Sequence, residues 1–203
     1  MTNHFIARTS VGSAFALALV FGATTLAQAP LSLNTAKITI AGTSNIHDYT
    51  ATTSKATITN VKLGQAVAGP AFWDEVQKPG GLQAFDISIP AESLKSNKDG
   101  LDKNMYKALN TKEHKEITFS LKSITGTPGA LTATGMLTVA GVAREVTLPL
   151  KTVKSGDDLA VSGTIDVMMT DHGIKPPKAM LGMVKADPRI TVTFEVLLGL
   201  VTT

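Results

Sequence analysis

The chain has 203 residues, 43% of them hydrophobic and 17% charged, with a formal net charge of +3 and no cysteine. That length suits one domain able to bury roughly 70% of its unfolded surface, and the composition excludes wholesale disorder. Without cysteine there are no disulfides, thiolate metal sites, cysteine nucleophiles or lipidated lipoprotein cysteine, and the 19 scattered basic residues, with one Trp and two Tyr, leave no clustered footprint for nucleic acid.

The first 27 residues read as a secretory signal peptide. Arg8 supplies the positive n-region, and Val11 to Leu26 is apolar or small without a charge. The uncharged stretch from Thr9 to Leu33 is long enough to span a bilayer, so a retained anchor is the alternative. Its richness in Ala, Gly, Ser and Thr and its small-residue cleavage sites favour cutting. Cleavage is expected after Thr25-Leu26-Ala27, because the overlapping Ala27-Gln28-Ala29 site puts Pro30 directly after the scissile bond. Losing 1–27 removes Arg8 and no acid, leaving +2 on a mature chain, 28–203, expected to be soluble, exported and periplasmic.

The mature chain is dominated by period-two alternation. Ile38 and Ile40 predict a short strand, and a β-prone stretch follows from Asp48 to Leu63. Residues 64–81, rich in Gly and Pro and holding the lone Trp73, read as an insert. Alternation then places Phe85, Ile87 and Ile89 on one face; Ile117, Phe119 and Leu121 on the next; and then Leu137 with Val139, and Val146 with Leu148 and Leu150. Leu159, Val161, Ile165, Val167 and Met169 share one parity, as do Ile190, Val192, Phe194, Val196 and Leu198. The opposite faces are threonine-rich or charged, the mark of an antiparallel sheet covered on one side. Spacing of Leu101, Met105 and Leu109 predicts a short helix over 99–110, and 171–187 reads as an ordered loop.

The count is about eight strands, some longer than about 30 Å, joined by short turns such as Pro128-Gly129 and Ala140-Gly141. The fold class is all-β, with up-and-down topology. Rolling the sheet into a barrel hides the apolar face and removes its edges, whereas a packed two-sheet sandwich is the alternative that periodicity does not exclude.

No nucleophile elbow, zinc-helix, phosphate loop or dinucleotide fingerprint occurs. His47, His114 and His172 lie in unrelated segments without metal-ligand spacing. His114 reads as a solvated loop residue, and Asp171-His172 as a loop brace. Asp86 and Glu92 read as water-facing strand positions. No catalytic residue, metal or cofactor is expected, and a metal-dependent enzyme using the three histidines is the weaker alternative.

Four blocks in order resemble the YceI-like family of exported bacterial proteins: Gly42-Thr43-Ser44-Asn45-Ile46-His47-Asp48-Tyr49; Leu94-Lys95-Ser96 with Leu101-Asp102 and Met105; Gly135 to Val146; and Met169 to Gly182. His172 stands where the family usually has Phe, and Ala186-Asp187-Pro188-Arg189 replaces its usual turn before the last strand. The resemblance covers about 31–198 and implies an extended eight-stranded, lipocalin-like antiparallel barrel that binds a long amphiphile. Polyisoprenoids, isoprenoid quinones and fatty-acid derivatives are the implied ligand class. The expected lumen is formed by Ile87, Ile89, Phe119, Leu121, Leu137, Val139, Leu148, Leu150, Ile165, Val167, Val192 and Phe194. Candidates at the mouth are Asn45, His47, Asp48, Tyr49, Asp171, His172 and Lys175, with purely structural roles as the competing reading. The expected partner is an isoprenoid or fatty-acyl lipid. Transient membrane contact and a homodimer both stay open, and a stress-linked periplasmic protein acting through protein contacts is the other functional alternative.

Overall fold

The computed structural model describes residues 31–64, 69–179 and 182–201, so the predicted signal peptide lies outside the described residues. The strands are β1 (Leu31–Ser44), β2 (Asp48–Thr53), β3 (Thr57–Leu63), β4 (Leu82–Pro90), β5 (Glu116–Thr127), β6 (Ala130–Val139), β7 (Val142–Ser155), β8 (Asp158–Met168), β9 (Lys178–Ala179) and β10 (Val184–Leu200). Two helices, α1 (Phe72–Val76) and α2 (Asp99–Leu109), and two single 3-10 turns, Ala91–Ser93 and Met169–His172, interrupt them.

All strand pairs are antiparallel, in the order β2-β1-β10-β8-β7-β6-β5-β4-β3, with β9 on β10 alone. The architecture is an all-β barrel, a meander that β10 closes onto β1. The expected eight strands become nine plus the short β9, because 48–63 breaks at 54–56 and 171–187 contributes a bridge and the start of β10. Glu92 lies in a 3-10 turn rather than a strand, and accepts a hydrogen bond from Thr111 Oγ1 at 2.7 Å. Asp86 is half-buried and accepts from Asn60 Nδ2 at 3.0 Å.

Among the described residues no ladder joins the two edge strands, β2 and β3. The free edge of β2 is covered instead by the chain at 94–95: Thr52 N–H donates to Lys95 O at 2.8 Å and Lys95 N–H to Thr52 O at 3.0 Å. An unpaired edge recruits other strands, so this bridge is protective as well as structural.

Two apolar clusters sit at opposite ends. At one, α1 presses Phe72, Trp73 and Val76 against Leu31, Leu159 and Leu198. At the other, α2 and the 3-10 turns bring Leu94, Leu109, Met169 and Ile174 onto Ala51 and Ile117. The lower plug is fastened by polar contacts. Trp73 Nε1 donates to Asp157 O at 2.8 Å, Gln77 Nε2 to Trp73 O at 2.9 Å, and Thr152 Oγ1 to Gln77 Oε1 at 2.5 Å. Thr152 Oγ1 in turn accepts the Gly129 N–H at 2.8 Å, which ties α1 to two hairpins at once.

Between the clusters, large rings occupy the space above glycines of the neighbouring strand. Phe119 covers Gly135, Phe194 covers Gly163, and Tyr49 covers Gly42. A glycine there gives up strand propensity, but it makes room for an aromatic ring that a side chain would displace. A methyl group at Gly135 would meet both the Phe119 ring and the backbone oxygen of Ser120 at 2.5 Å. Gly135→Ala is therefore expected to cost about 1–3 kcal/mol in chemical denaturation, through a displaced ring and backbone. An unchanged midpoint would mean that the ring has room to move.

Candidate functional site

The barrel encloses a cavity of about 540 Å³ that runs from the α1 plug, at Val76 and Gln77, to an opening among Ser44, Lys98 and Lys178. Pockets that bury a small molecule span about 300–1,000 Å³. All twelve residues assigned to the lumen line this space: Ile87, Ile89, Phe119, Leu121, Leu137, Val139, Leu148, Leu150, Ile165, Val167, Val192 and Phe194. They do not share one environment. Ile89, Leu137 and Val139 pack onto the α2 cluster, and Val167 is itself buried. The other eight belong to neither cluster and are only half-buried although they face inward, so their residual surface faces unfilled space.

The opening is built from three segments. The block Ser44–Tyr49 turns on its own serine, whose Oγ donates to His47 O at 2.8 Å and accepts the Ile46 and His47 N–H groups. The closing loop enters after Met168, and its 3-10 turn ends at Gly173 in the left-handed region (φ 70°). The third segment is α2, which contributes Lys98, Leu101, Asn104 and Met105 to the lining. Its position is set by Asp102, whose buried carboxylate accepts the Ser96 N–H at 2.8 Å and lies 3.6 Å from Lys95 Nζ. Those bonds from Ser96, with the lysine charge second, hold the Asp102 carboxyl below its usual pKa against the opposing effect of burial. The Tyr106 hydroxyl reaches the Glu92 and Leu94 carbonyls at 2.9 and 2.7 Å, pinning the same helix from its far side.

Of the seven residues proposed for the mouth, His47, Tyr49 and His172 line the cavity, whereas Asn45, Asp48, Asp171 and Lys175 do not. Asn45 is a splice between segments: its Nδ2 donates to Met183 O at 2.9 Å and its Oδ1 accepts the Lys185 N–H at 2.8 Å. Asp48, Asp171 and Lys175 are exposed. His172 is buried, with Nδ1 2.9 Å from Val142 O, so the residue at the family's usual Phe position fastens the closing loop to β7. Burial, and then the charge of Asp187, push the pKa of the Tyr49 hydroxyl up. Sequence reasoning missed Lys98, Asn104 and Lys178, which sit at the start of α2, within α2 and in the two-residue bridge β9, where strand parity gives no signal.

The histidines are not brought together. His47 is at the mouth and His172 is on Val142, while His114 is half-buried with its ring against Gly141, not solvated as expected. Among the described residues, no group of three His, Cys, Asp or Glu is placed to hold a metal ion.

The sequence matches the YceI-like domain over residues 31–198. The chain belongs to that family. No curated protein sequence is matched. Among solved structures, BcnA of Burkholderia cenocepacia superposes with a TM-score of 0.62 at 16% identity, covering 80% of this chain and 95% of that one. A polyisoprenoid-binding domain from Saccharophagus degradans gives 0.64 at 11% identity, covering 85% and 99%. The Campylobacter jejuni YceI protein gives 0.52 at 16% identity, covering 73% and 85%. At these identities the likeness is one of fold, and this YceI-like domain shares the curled antiparallel sheet of all three.

The Asp102 anchor gives a pH dependence with a definite sign. A carboxylate whose pKa is lowered on folding stabilises the protein above its unfolded value of about 3.9, and that contribution is lost as pH falls through the folded value. Asp102→Asn is expected to lower the melting temperature at pH 7 by a few degrees, with the difference from wild type shrinking below about pH 4. A pH-independent difference would assign the loss to packing.

Proposed function

We propose that this YceI-like domain is a binding or carrier protein for a long amphiphile, a polyisoprenoid, isoprenoid quinone or fatty-acyl lipid, held tail-first in the lumen. The observation that carries this is the mid-barrel wall. Eight apolar side chains face inward yet keep accessible surface, which a filled core would have removed. The Saccharophagus degradans neighbour, a polyisoprenoid-binding domain, supports the ligand class.

Each buried methylene contributes about 0.8 kcal/mol, so a tail of ~15 carbons gains on the order of 12 kcal/mol gross. Lost translational and chain entropy returns several kcal/mol, which leaves micromolar to nanomolar affinity. An apolar wall reads length and bulk, so polar groups at the mouth have to choose the head. We propose that the residues at 1–27 direct the chain to the periplasm and that it works there without catalysis. Loading and release then need the mouth to meet a membrane transiently, and the segments around it expose Ile46 and Met183.

The test is native mass spectrometry of protein purified from periplasm without detergent, followed by solvent extraction. One amphiphile per chain is expected. Ile165→Trp, which projects an indole into the middle of the lumen, should abolish that adduct and leave the far-ultraviolet circular dichroism unchanged. An empty chain that also refuses added geranylgeraniol would overturn the reading.

A further inference from the structure

The polar atoms of the lining divide into two kinds, and the division bears on the ligand's head group, given the amphiphile reading above. At the closed end, Gln77 and Thr152 are spent: each is hydrogen-bonded to the other, and both are tied further to backbone groups. At the open end, Ser44 and His172 are likewise occupied with backbone. The remaining polar lining, His47, Tyr49, Lys98, Asn104 and Lys178, makes no side-chain hydrogen bond or ion pair with any described residue. Every unspent donor of the lumen is therefore at one end.

Charge is equally one-sided. Lys98, at the start of α2, and Lys178, in β9, are the charged side chains of the lining, and it contains no Asp or Glu. Asp187, the acid that acts on Tyr49, stands outside the lining and accepts the Arg189 N–H at 2.8 Å. Two lysines bordering the rim of an apolar cavity bring a positive potential that low-dielectric walls focus towards the mouth. A neutral head could use Tyr49 or Asn104, but only an anion gains charge-assisted bonds from both lysines.

We propose that this domain selects an anionic head, a carboxylate or a phosphate monoester on a long apolar chain, and that Lys98 and Lys178 determine that choice. The experiment is equilibrium dialysis of the purified protein against equimolar dodecanoate, dodecyl phosphate and dodecan-1-ol at pH 8, with bound species extracted and quantified. Each anion is expected to be retained at least about tenfold over the alcohol at low salt. The preference should shrink in 0.5 M salt and fall towards unity in Lys98→Met/Lys178→Met, whose exposed substitutions leave the circular dichroism unchanged. The ratio of the two anions identifies which head is the better fit. Equal retention of alcohol and anions by wild type would overturn the head-group proposal while leaving the lumen reading intact. A preference that survives the double substitution would overturn the assignment to these lysines. Retention of none of the three, with geranylgeraniol also refused, would overturn the lumen reading and this proposal with it.

Discussion

A long antiparallel sheet with one apolar face has two ways to keep that face from water: stack it on a second layer or roll it against itself. Rolling brings opposite walls together only if large side chains meet in the middle, and this chain withholds them. Its mid-barrel wall is mostly Ile, Val and Leu, and the two phenylalanines there, Phe119 and Phe194, pack over glycines of the neighbouring strand. Gly135 and Gly163 thus do two jobs at once, admitting the rings at the wall and denying the centre a filler. The same constraint explains why stability is concentrated at the ends, where α1 and α2 bring side chains that the strands do not supply.

The two plugs are built differently, and the difference matches what each end must do. The lower one combines a buried indole with a chain of satisfied hydrogen bonds through Gln77 and Thr152 to two hairpins, so moving it breaks several bonds together. The upper one rests on α2, held by the Asp102 carboxylate and by the Tyr106 hydroxyl on the Glu92 and Leu94 carbonyls, with a 3-10 turn and a histidine on a carbonyl beside it. These contacts are spread over three separate segments, whereas the lower ones converge on α1. The cavity reaches the surface at this upper end, so on the function proposed above a tail would pass there.

Much of the wall was legible because parity in a strand is unambiguous: positions two apart share a face. Where that signal failed, a β-bulge was the cause. Register shifts lie between Leu33 and Thr35, between Ile58 and Asn60, and between Leu121 and Ser123. Each lets apolar residues of opposite parity, such as Leu121 and Ile124, serve the same interior. The first half of β1 was hidden in this way, and β3 was merged with β2 across the break at 54–56. The five-residue α1 carries too little sequence to show a helical period. The mouth was legible only in part because it is made of caps, a bridge and loop residues, whose directions are set by tertiary contacts such as Asn45 to Met183 and Lys185.

An unfilled lumen has an energetic consequence. At about 24 cal/mol per Å³, the cost measured for voids left by truncated core residues, a space of this size kept dry would forfeit on the order of 10 kcal/mol, comparable to the whole stability of a domain. A chain that tolerates such a space must recover the difference from its ladders and its two end clusters, or from something that enters. Whatever binds the folded form alone adds RT ln(1 + [L]/Kd) to its stability. A tail lying against the mid-barrel residues restores the dispersion contacts that the glycines forgo. On the function proposed above, binding completes the core, and the pocket is the part of that core which the sequence leaves to its ligand.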